Sequence, residues 1–125
     1  MSSMLLVTAG VWAGFLRDGD PVLQRRLEAG GVLSHPLVIG ELAMGRLRHR
    51  ERVLTALRAL PGAVTATDDE VFEFIERESL HGKSVGYVDA HLLAAARLTP
   101  KTRLWTHDAR VRELAARMGT AFAVL

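Results

Sequence analysis

The feature that most constrains this chain is a repeated alternation between short apolar segments and residues that start a helix. The first segment, MLLV at Met4 to Val7, is followed by TAG and then by a new apolar run. Similar short runs recur at Val32 to His35, Ala63 to Ala66, Leu104 to Thr106 and Ala121 to Val124. Strands that alternate with helices predict a mainly parallel sheet covered on both faces. We therefore expect one α/β domain that spans residues 1–125.

Capping residues mark where the helices begin. Asp20 stands directly before a proline, and Thr67 stands before three acidic residues, which favour the positive end of a helix. Ser84 is predicted to cap a helix that runs from Val85 to Leu98. Asp108 is predicted to cap the helix that follows the last well-marked strand.

The composition limits the chemistry that the chain can perform. It has no cysteine, which excludes disulfides, a thiolate nucleophile and thiolate metal sites. Charge is segregated, because Asp68 to Glu78 carries six of the 14 acids and Arg46 to Arg58 carries five arginines. A second basic region, Arg97 to Arg117, has six basic residues against two acids. Such segregation suits an anionic partner such as nucleic acid, although solvated helix faces explain it equally well.

The uncharged stretch from Met4 to Leu16 is not expected to enter a membrane. It has no positively charged leader, and Arg17 and Asp18 follow it where a signal peptide would have small residues. The stretch is also too short to span a bilayer. We interpret it as a strand plus the first turns of a helix, and we expect a cytoplasmic protein.

Three carboxylates stand in unusual surroundings. Glu41 is the one charged residue of the stretch PLVIGELAMG, and Asp89 is the one acid of SVGYVDAHLLAAA. Asp108 closes the segment LWTHD at a predicted strand-to-helix turn. A carboxylate on an apolar helix loses hydration unless it is paired, so an ion pair with an arginine is one explanation. Asp108 has a second simple explanation, because aspartate is a common helix cap.

A shared crevice is the alternative explanation for these three acids. In an open parallel sheet, the carboxyl ends of the strands and the starts of nearby helices form one crevice. Clustered carboxylates repel one another unless a hard divalent cation such as Mg²⁺ or Mn²⁺ binds them. Such ions lower the pKa of water and neutralise a phosphodiester under attack. The pattern therefore suggests metal-dependent phosphodiester hydrolysis.

Other catalytic patterns are absent from the sequence. There is no glycine-rich phosphate loop, no GxSxG elbow and no HExxH helix. His91 and His107 lie near two of the acids, but neither is given a catalytic role, and His91 is expected to face away from Asp89. Trp12 and Trp105 are expected to pack in the core or at its rim.

Taken together and in this order, these segments resemble the PIN domain and, within it, the VapC-type toxins of toxin–antitoxin pairs. The resemblance covers nearly the whole chain. It rests on the first strand running into Val11-Trp12, on HPLVIGELAMG, on GYVDAHLLAA and on LWTHDARV. It implies a three-layer α/β/α fold with a mainly parallel central sheet. It also implies a Mg²⁺- or Mn²⁺-dependent endoribonuclease of a type II toxin–antitoxin pair, with four carboxylates at its site.

Three of the four carboxylates have counterparts in this chain, and the fourth does not. Glu41, Asp89 and Asp108 match metal-ligand positions, and Thr106 matches the hydroxyl residue that usually precedes the last acid by two. In the family, the first strand normally ends in aspartate followed by threonine and serine, whereas this chain has Thr8-Ala9-Gly10. Because threonine cannot supply a charge, the resemblance implies weakened metal binding and impaired activity.

The resemblance also implies partners. Members of the family bind a VapB-type antitoxin whose tail lies across the active-site groove, cleave RNA, and often form homodimers. They contact DNA only indirectly, through the antitoxin, and no membrane association is expected. In this chain Arg46, Arg48 and Arg50 are predicted to face the RNA.

Two other functions fit parts of the sequence. A catalytically inactive PIN-like module would bind an antitoxin or RNA without cleaving it, and Thr8-Ala9-Gly10 favours this function. A flavodoxin-like or response-regulator-like domain would place an acidic pair at the end of its first strand. The chain lacks that pair, so this third function is disfavoured.

Overall fold

Three short parallel strands organise the chain in a computed structural model that describes residues 3–123. They are β1 (Met4–Val7), β2 (Val32–Leu33) and β3 (Thr102–Trp105). The strand order is β2-β1-β3, with β1 in the centre. The predicted parallel sheet is thereby confirmed.

The carboxyl ends of the three strands meet at one edge of the sheet, because both pairings are parallel. Leu6 of β1 lies opposite Leu33 on one side and opposite Leu104 on the other. We call the edge at which the carboxyl ends of the three strands meet the carboxyl edge. Thr8 follows β1 there, and Thr106 follows β3.

Seven helices accompany the strands within residues 3–123. They are α1 (Ala9–Asp18), α2 (Pro21–Glu28), α3 (Pro36–Met44), α4 (Arg50–Ala59), α5 (Asp68–Arg77), α6 (Tyr87–Leu98) and α7 (Ala109–Arg117). The order of strands and helices confirms the α/β class. A helix that joins parallel strands must run back against them, so α1, α3 and α6 begin on the side of the carboxyl edge. None of the helices in the described part of the chain is long and apolar enough to cross a membrane.

The apolar core forms around β1 and α6. Leu5 to Val7 have no exposed surface, and seven consecutive residues of α6, Ala90 to Ala96, are buried. The helix is covered because α5, α7 and β3 all pack against it. Trp12 and Trp105 are buried as well, which confirms their expected place in the core.

Hydrogen bonds confirm several predicted helix starts. Asp20 Oδ1 accepts hydrogen bonds from the backbone N–H groups of Val22 and Leu23 at the start of α2. Thr67 and Glu70 form a reciprocal capping box at the start of α5. These bonds satisfy N–H groups that have no partner inside a helix.

The predicted start of α6 is wrong by two residues. Ser84 has a left-handed backbone with φ of 58°, whereas a capping residue typically has an extended backbone. Gly86 occupies the capping position, and its N–H donates to Asp89 Oδ2 at 3.1 Å. The first turn of α6 is therefore held by Asp89, which reaches back along the chain in the manner of a capping box.

Two predicted strands are wrong, since each is reduced to a single bridge. Ala63 to Ala66 is not a strand. The neighbouring Gly62 forms a single parallel bridge with Ser34, the residue that follows β2. Because β2 ends at Leu33, it offers almost no edge for a longer ladder. Near the other end of the chain, Ala121 bridges to β3, and Val124 lies outside the described residues.

The strand β2 itself ends two residues earlier than predicted. Its expected last residue, His35, instead caps α3, because the ring Nδ1 accepts a hydrogen bond from the backbone N–H of Leu37 at 3.1 Å. Pro36 then occupies the first position of α3, which turns the chain out of the sheet.

Replacing Leu6 by alanine should destabilise the domain by about 2–5 kcal/mol, because its removal leaves a cavity between two neighbouring strands. Leu98→Ala is the control, since 46% of Leu98 is exposed. That change should lower the free energy of unfolding by less than about 1 kcal/mol. Urea unfolding followed by circular dichroism measures both values. Equal losses would contradict the central place of β1 in the core.

Candidate active site

Thr8 and Thr106 lie at the ends of adjacent strands on the carboxyl edge. The backbone N–H of Thr8 donates to the carbonyl oxygen of Trp105 at 3.1 Å, so β1 and β3 stay paired up to these residues. Both threonines are buried, with 8% and 6% of their surface exposed. Thr8 is also the capping residue of α1, but its side chain makes no capping hydrogen bond.

Asp108 caps α7, as predicted. Its Oδ1 accepts hydrogen bonds from the backbone N–H groups of Arg110 and Val111 at 2.9 and 3.1 Å. Its own N–H donates to Thr106 Oγ1 at 3.0 Å. Thr106 therefore orders the turn that carries Asp108. The second carboxylate oxygen, Oδ2, has no hydrogen-bond partner among the described residues.

Asp89 and Glu41 lie on two further helices that begin at the carboxyl edge. Asp89 is partly buried, and its Oδ2 accepts the cap hydrogen bond from Gly86. Its Oδ1 has no hydrogen-bond partner within residues 3–123. Glu41 is exposed on α3, which packs against α1 and α4. The fold thus brings all three carboxylates to helices around one sheet edge.

These carboxylates do not form a ready-made ligand cluster. Across the described part of the chain, no group of three or more histidine, aspartate or glutamate side chains lies close enough to hold a metal ion. The chemistry of the donors nevertheless fits Mg²⁺ or Mn²⁺, which take carboxylate oxygens.

The three arginines predicted to face RNA have different surroundings. All of them are exposed. Arg50 donates from Nη2 to the carbonyl oxygen of Ala43 at 2.6 Å and from Nη1 to that of Gly45 at 3.3 Å, so it satisfies carbonyl groups at the end of α3. Arg46 and Arg48 line a surface cavity of about 640 Å³. Binding of RNA by these residues stays a prediction.

Arg112 is a neighbour of the site that the sequence patterns did not single out. Its Nη2 donates to the carbonyl oxygen of Thr106 at 3.4 Å, which brings a guanidinium group beside the turn that carries Asp108. Arg112 follows Asp108 by four residues on a predicted helix, and this spacing is the sequence feature that could have identified it as a neighbour.

A second polar group lies at the starts of α5 and α6. The hydroxyl of Tyr87 donates to Asp68 Oδ1, and His91 Nε2 lies 3.1 Å from the same oxygen. The hydrogen bond from Tyr87, and after it the one from His91, lowers the pKa of Asp68. The hydrogen bond to Asp68 also raises the pKa of Tyr87 to about 12. His91 is buried, which agrees with its expected structural role, whereas His107 is exposed.

Comparison with known proteins identifies the family. Ribonuclease VapC32 of Mycobacterium tuberculosis, found in two strains, is 40% identical to this chain over 120 residues. The match covers 96% of this chain and 97% of the relative. A scan against profiles of protein families found no match. At this identity and coverage the chain belongs to the VapC-type ribonucleases, the PIN-domain toxins that its sequence pattern resembles.

Proposed function

We propose that this toxin ribonuclease is a Mg²⁺- or Mn²⁺-dependent endoribonuclease of a type II toxin–antitoxin pair. It hydrolyses RNA phosphodiesters between the carboxyl edge and the helix starts around it. Glu41, Asp89 and Asp108 are the proposed metal ligands, and Thr106 is the residue that orders Asp108. Thr8 stands at the fourth ligand position and impairs the activity of this chain.

The observation that carries the proposal is the arrangement of three carboxylates around a single sheet edge. Asp89 and Asp108 each use one oxygen for a helix cap and keep the other oxygen without a partner among the described residues. The carboxylate of Glu41 makes neither a hydrogen bond nor an ion pair within residues 3–123. Each carboxylate therefore has at least one oxygen available to a cation.

The protein groups have separate tasks in this reaction. Bound Mg²⁺ or Mn²⁺ supplies a water of lowered pKa and neutralises the phosphate charge. The cap hydrogen bonds restrict Asp89 and Asp108, which reduces the side-chain entropy that ligand binding would otherwise remove. Arg46 and Arg48 offer positive charge to the RNA backbone, whereas the guanidinium groups of Arg50 and Arg112 already donate to backbone carbonyl groups.

The proposed impairment of metal binding follows from the missing negative charge at position 8. An aspartate at position 8 would add a negative ligand at the end of β1, whereas threonine offers only a neutral oxygen. At a partly buried site one missing charge interaction weakens binding by on the order of a few kcal/mol. Thr8 is 8% exposed, so its surroundings are poorly hydrated and a charge there would be weakly screened.

The partners in this proposal are those of the family. They are a VapB-type antitoxin that inhibits the site, RNA as the substrate, and a second copy of the chain in a homodimer. DNA is contacted only indirectly, through the antitoxin. The cytoplasm is the proposed location, which suits a chain that has no cysteine.

A catalytically inactive module is the second candidate function. Such a module would capture the antitoxin or RNA without cleavage. Two observations favour it, namely the neutral Thr8 at the end of β1 and the absence of a close carboxylate cluster in the described residues.

Replacing Thr8 by aspartate should raise the rate of Mn²⁺-dependent RNA cleavage by at least about tenfold. The backbone at position 8 is extended, with φ of −72° and ψ of 161°, which suits an aspartate at a helix cap. Thr8→Asn is the control, because asparagine has nearly the shape of aspartate but carries no charge. Cleavage is measured on random-sequence oligoribonucleotides with Mn²⁺ and with a chelator. Equal gains in both variants would refute a role for charge, and fast cleavage by the unaltered chain would refute impairment.

Glu41→Gln and Asp89→Asn, each introduced into the Thr8→Asp variant, should weaken Mn²⁺ binding and slow cleavage by at least about tenfold. Each change removes one negative ligand and keeps the size of the side chain. Asp18→Asn is the control, because Asp18 is exposed at the end of α1 and pairs with Arg17. Calorimetric titration with Mn²⁺ gives the binding constant. An equal effect of Asp18→Asn would show that only total charge matters.

Two substitutions of Asp108 separate its helix cap from its proposed role as a metal ligand. Asp108→Ala should lower the stability of the domain by about 0.5–2 kcal/mol, because α7 loses its cap. Asp108→Asn keeps a capping oxygen and should be nearly as stable as the parent, yet it should lose metal-dependent cleavage in the Thr8→Asp background. Urea unfolding and the cleavage assay measure the two effects. If Asp108→Asn retains full cleavage, Asp108 is only a cap.

A further inference from the structure

A surface cavity of about 430 Å³ opens beside the turn that carries Asp108. The end of β3, the start of α2 and the segment after α7 form its walls, with Asp20, Trp105, Thr106, His107, Arg112 and Phe122 among the lining residues. Sites for small ligands have volumes of about 300–1,000 Å³, so the cavity is large enough for one flat ring system.

Two aromatic rings form the apolar wall of this cavity. The ring centroids of Trp105 and Phe122 lie 5.1 Å apart, and the ring planes meet at 50°. Phe122 is partly exposed, and its backbone N–H donates to the carbonyl oxygen of Leu104 at 3.1 Å, which holds it beside β3. The guanidinium carbon of Arg26 lies 5.4 Å from the centre of the Phe122 ring. The ring is thus held in place, and aromatic rings of this kind are the surfaces on which unpaired nucleobases stack.

Asp20 supplies a hydrogen-bond acceptor to the cavity. Its Oδ1 caps α2 by accepting from the backbone N–H groups of Val22 and Leu23. Its Oδ2 has no hydrogen-bond partner within residues 3–123. Asp20 forms no ion pair in that range either, although Arg112 lines the same cavity, because Arg112 donates to carbonyl groups of the turn before α7. An ionised carboxylate can only accept, so Asp20 requires a ligand with N–H or O–H groups.

Trp105 supplies a hydrogen-bond donor. The residue is 3% exposed, and its indole Nε1–H has no acceptor in the described part of the chain. The fully enclosed side-chain atoms that lack a partner there are His35 Nε2 and His91 Nδ1, so Trp105 Nε1 keeps some contact with open space. Because Trp105 is otherwise buried and lines the cavity, this contact is with the cavity. Buried donors without an acceptor are rare, since each loses hydration without compensation.

We propose that this cavity binds one nucleobase of the RNA substrate, guanine in preference to uracil, and that Asp20 is the residue that determines this preference. Guanine presents two adjacent donors, N1–H and N2–H, to Asp20, and its O6 accepts from the indole N–H of Trp105. Uracil has a single N–H between two carbonyl groups, whose oxygens repel the carboxylate. The face of the base packs on Phe122.

The cavity lies close to the proposed metal site. Thr106 lines the cavity, and its Oγ1 accepts the N–H of Asp108 at 3.0 Å. The two residues are separated by at most about 7 Å of extended chain. The nucleotide in the cavity therefore adjoins the phosphate to be cleaved. This placement rests on the proposed function, whereas binding of the base does not.

Binding is measured without metal, so that it does not depend on cleavage. The ¹⁵N-labelled chain is titrated with the pentaribonucleotides UUGUU and UUUUU in the presence of a chelator. UUGUU should bind at least about tenfold more tightly, because a good pair of hydrogen bonds discriminates between bases by this much or more. It should also shift the resonances of the Trp105 indole N–H and the Phe122 amide. Equal affinities, or shifts that spare both residues, would overturn the proposal.

Asp20→Asn reverses the hydrogen-bonding character of the cavity. Asparagine keeps an oxygen for the cap of α2, and its NH₂ group replaces Oδ2. The variant should bind UUUUU at least as tightly as UUGUU, because its NH₂ group donates to a uracil carbonyl and faces the donors of guanine. Asp18→Asn is the matched control, since it removes the same charge from an exposed residue that pairs with Arg17, and it should keep the preference for guanine. Urea unfolding confirms that both variants are folded. An unchanged preference in Asp20→Asn would refute the role of Asp20.

Phe122→Leu tests the stacking surface separately. It should weaken the binding of both oligonucleotides by at least about fivefold, because leucine offers no flat ring, and it should leave the preference for guanine in place. Unchanged affinities would exclude Phe122 as the surface that the base packs on.

Cleavage connects the base site to the proposed function. In the Thr8→Asp background, a uridine tract with one guanine should be cut beside that guanine, and Asp20→Asn should remove this preference. If the Thr8→Asp parent cuts no RNA while UUGUU still binds more tightly, the proposed function fails and the base site stands. If the parent cuts RNA at the same bonds with and without Asp20→Asn, the base site fails and the proposed function stands.

Discussion

Parallel pairing on both sides of β1 is the constraint on which the rest of the structure depends. β1 lies between β2 and β3, and its buried residues Leu5 to Val7 have no exposed surface. Because the strands share one direction, Thr8 and the turn that carries Asp108 lie on the same edge of the sheet. An antiparallel β3 would have moved Asp108 to the opposite edge. The direction of pairing thus decides whether a shared site can exist at all.

In the candidate site, two of the acidic side chains also cap helices. Asp89 and Asp108 each accept backbone N–H groups at the start of a helix, where the macrodipole favours negative charge. In the proposed metal site, this attraction would offset part of the repulsion between the carboxylates. The same side chain can therefore stabilise a helix and remain available to a cation. A loss of activity in a variant has meaning only when its stability is measured too.

Local sequence was sufficient wherever the interaction spans a few residues. The caps at Asp20, Thr67 and Asp108 were predicted because each side chain bonds to the backbone of its own helix. Ser84 and the segment Ala63 to Ala66 were predicted wrongly. Ser84 has a left-handed backbone and Gly86 caps α6 in its place, and the early end of β2 deprives the second of a ladder partner.

The sequence by itself determined which chemistry is available. It has an α/β order of elements, three isolated carboxylates, no thiol, and a neutral threonine, Thr8, at the end of the first strand. The tertiary structure alone decided which of these groups are neighbours. It brought Thr8 beside the end of β3, engaged Arg50 with the end of α3, and placed His35 against His91. The physical reason is range, because side-chain identity and capping act within one helical turn. Contacts between distant segments are selected by burial of the whole core.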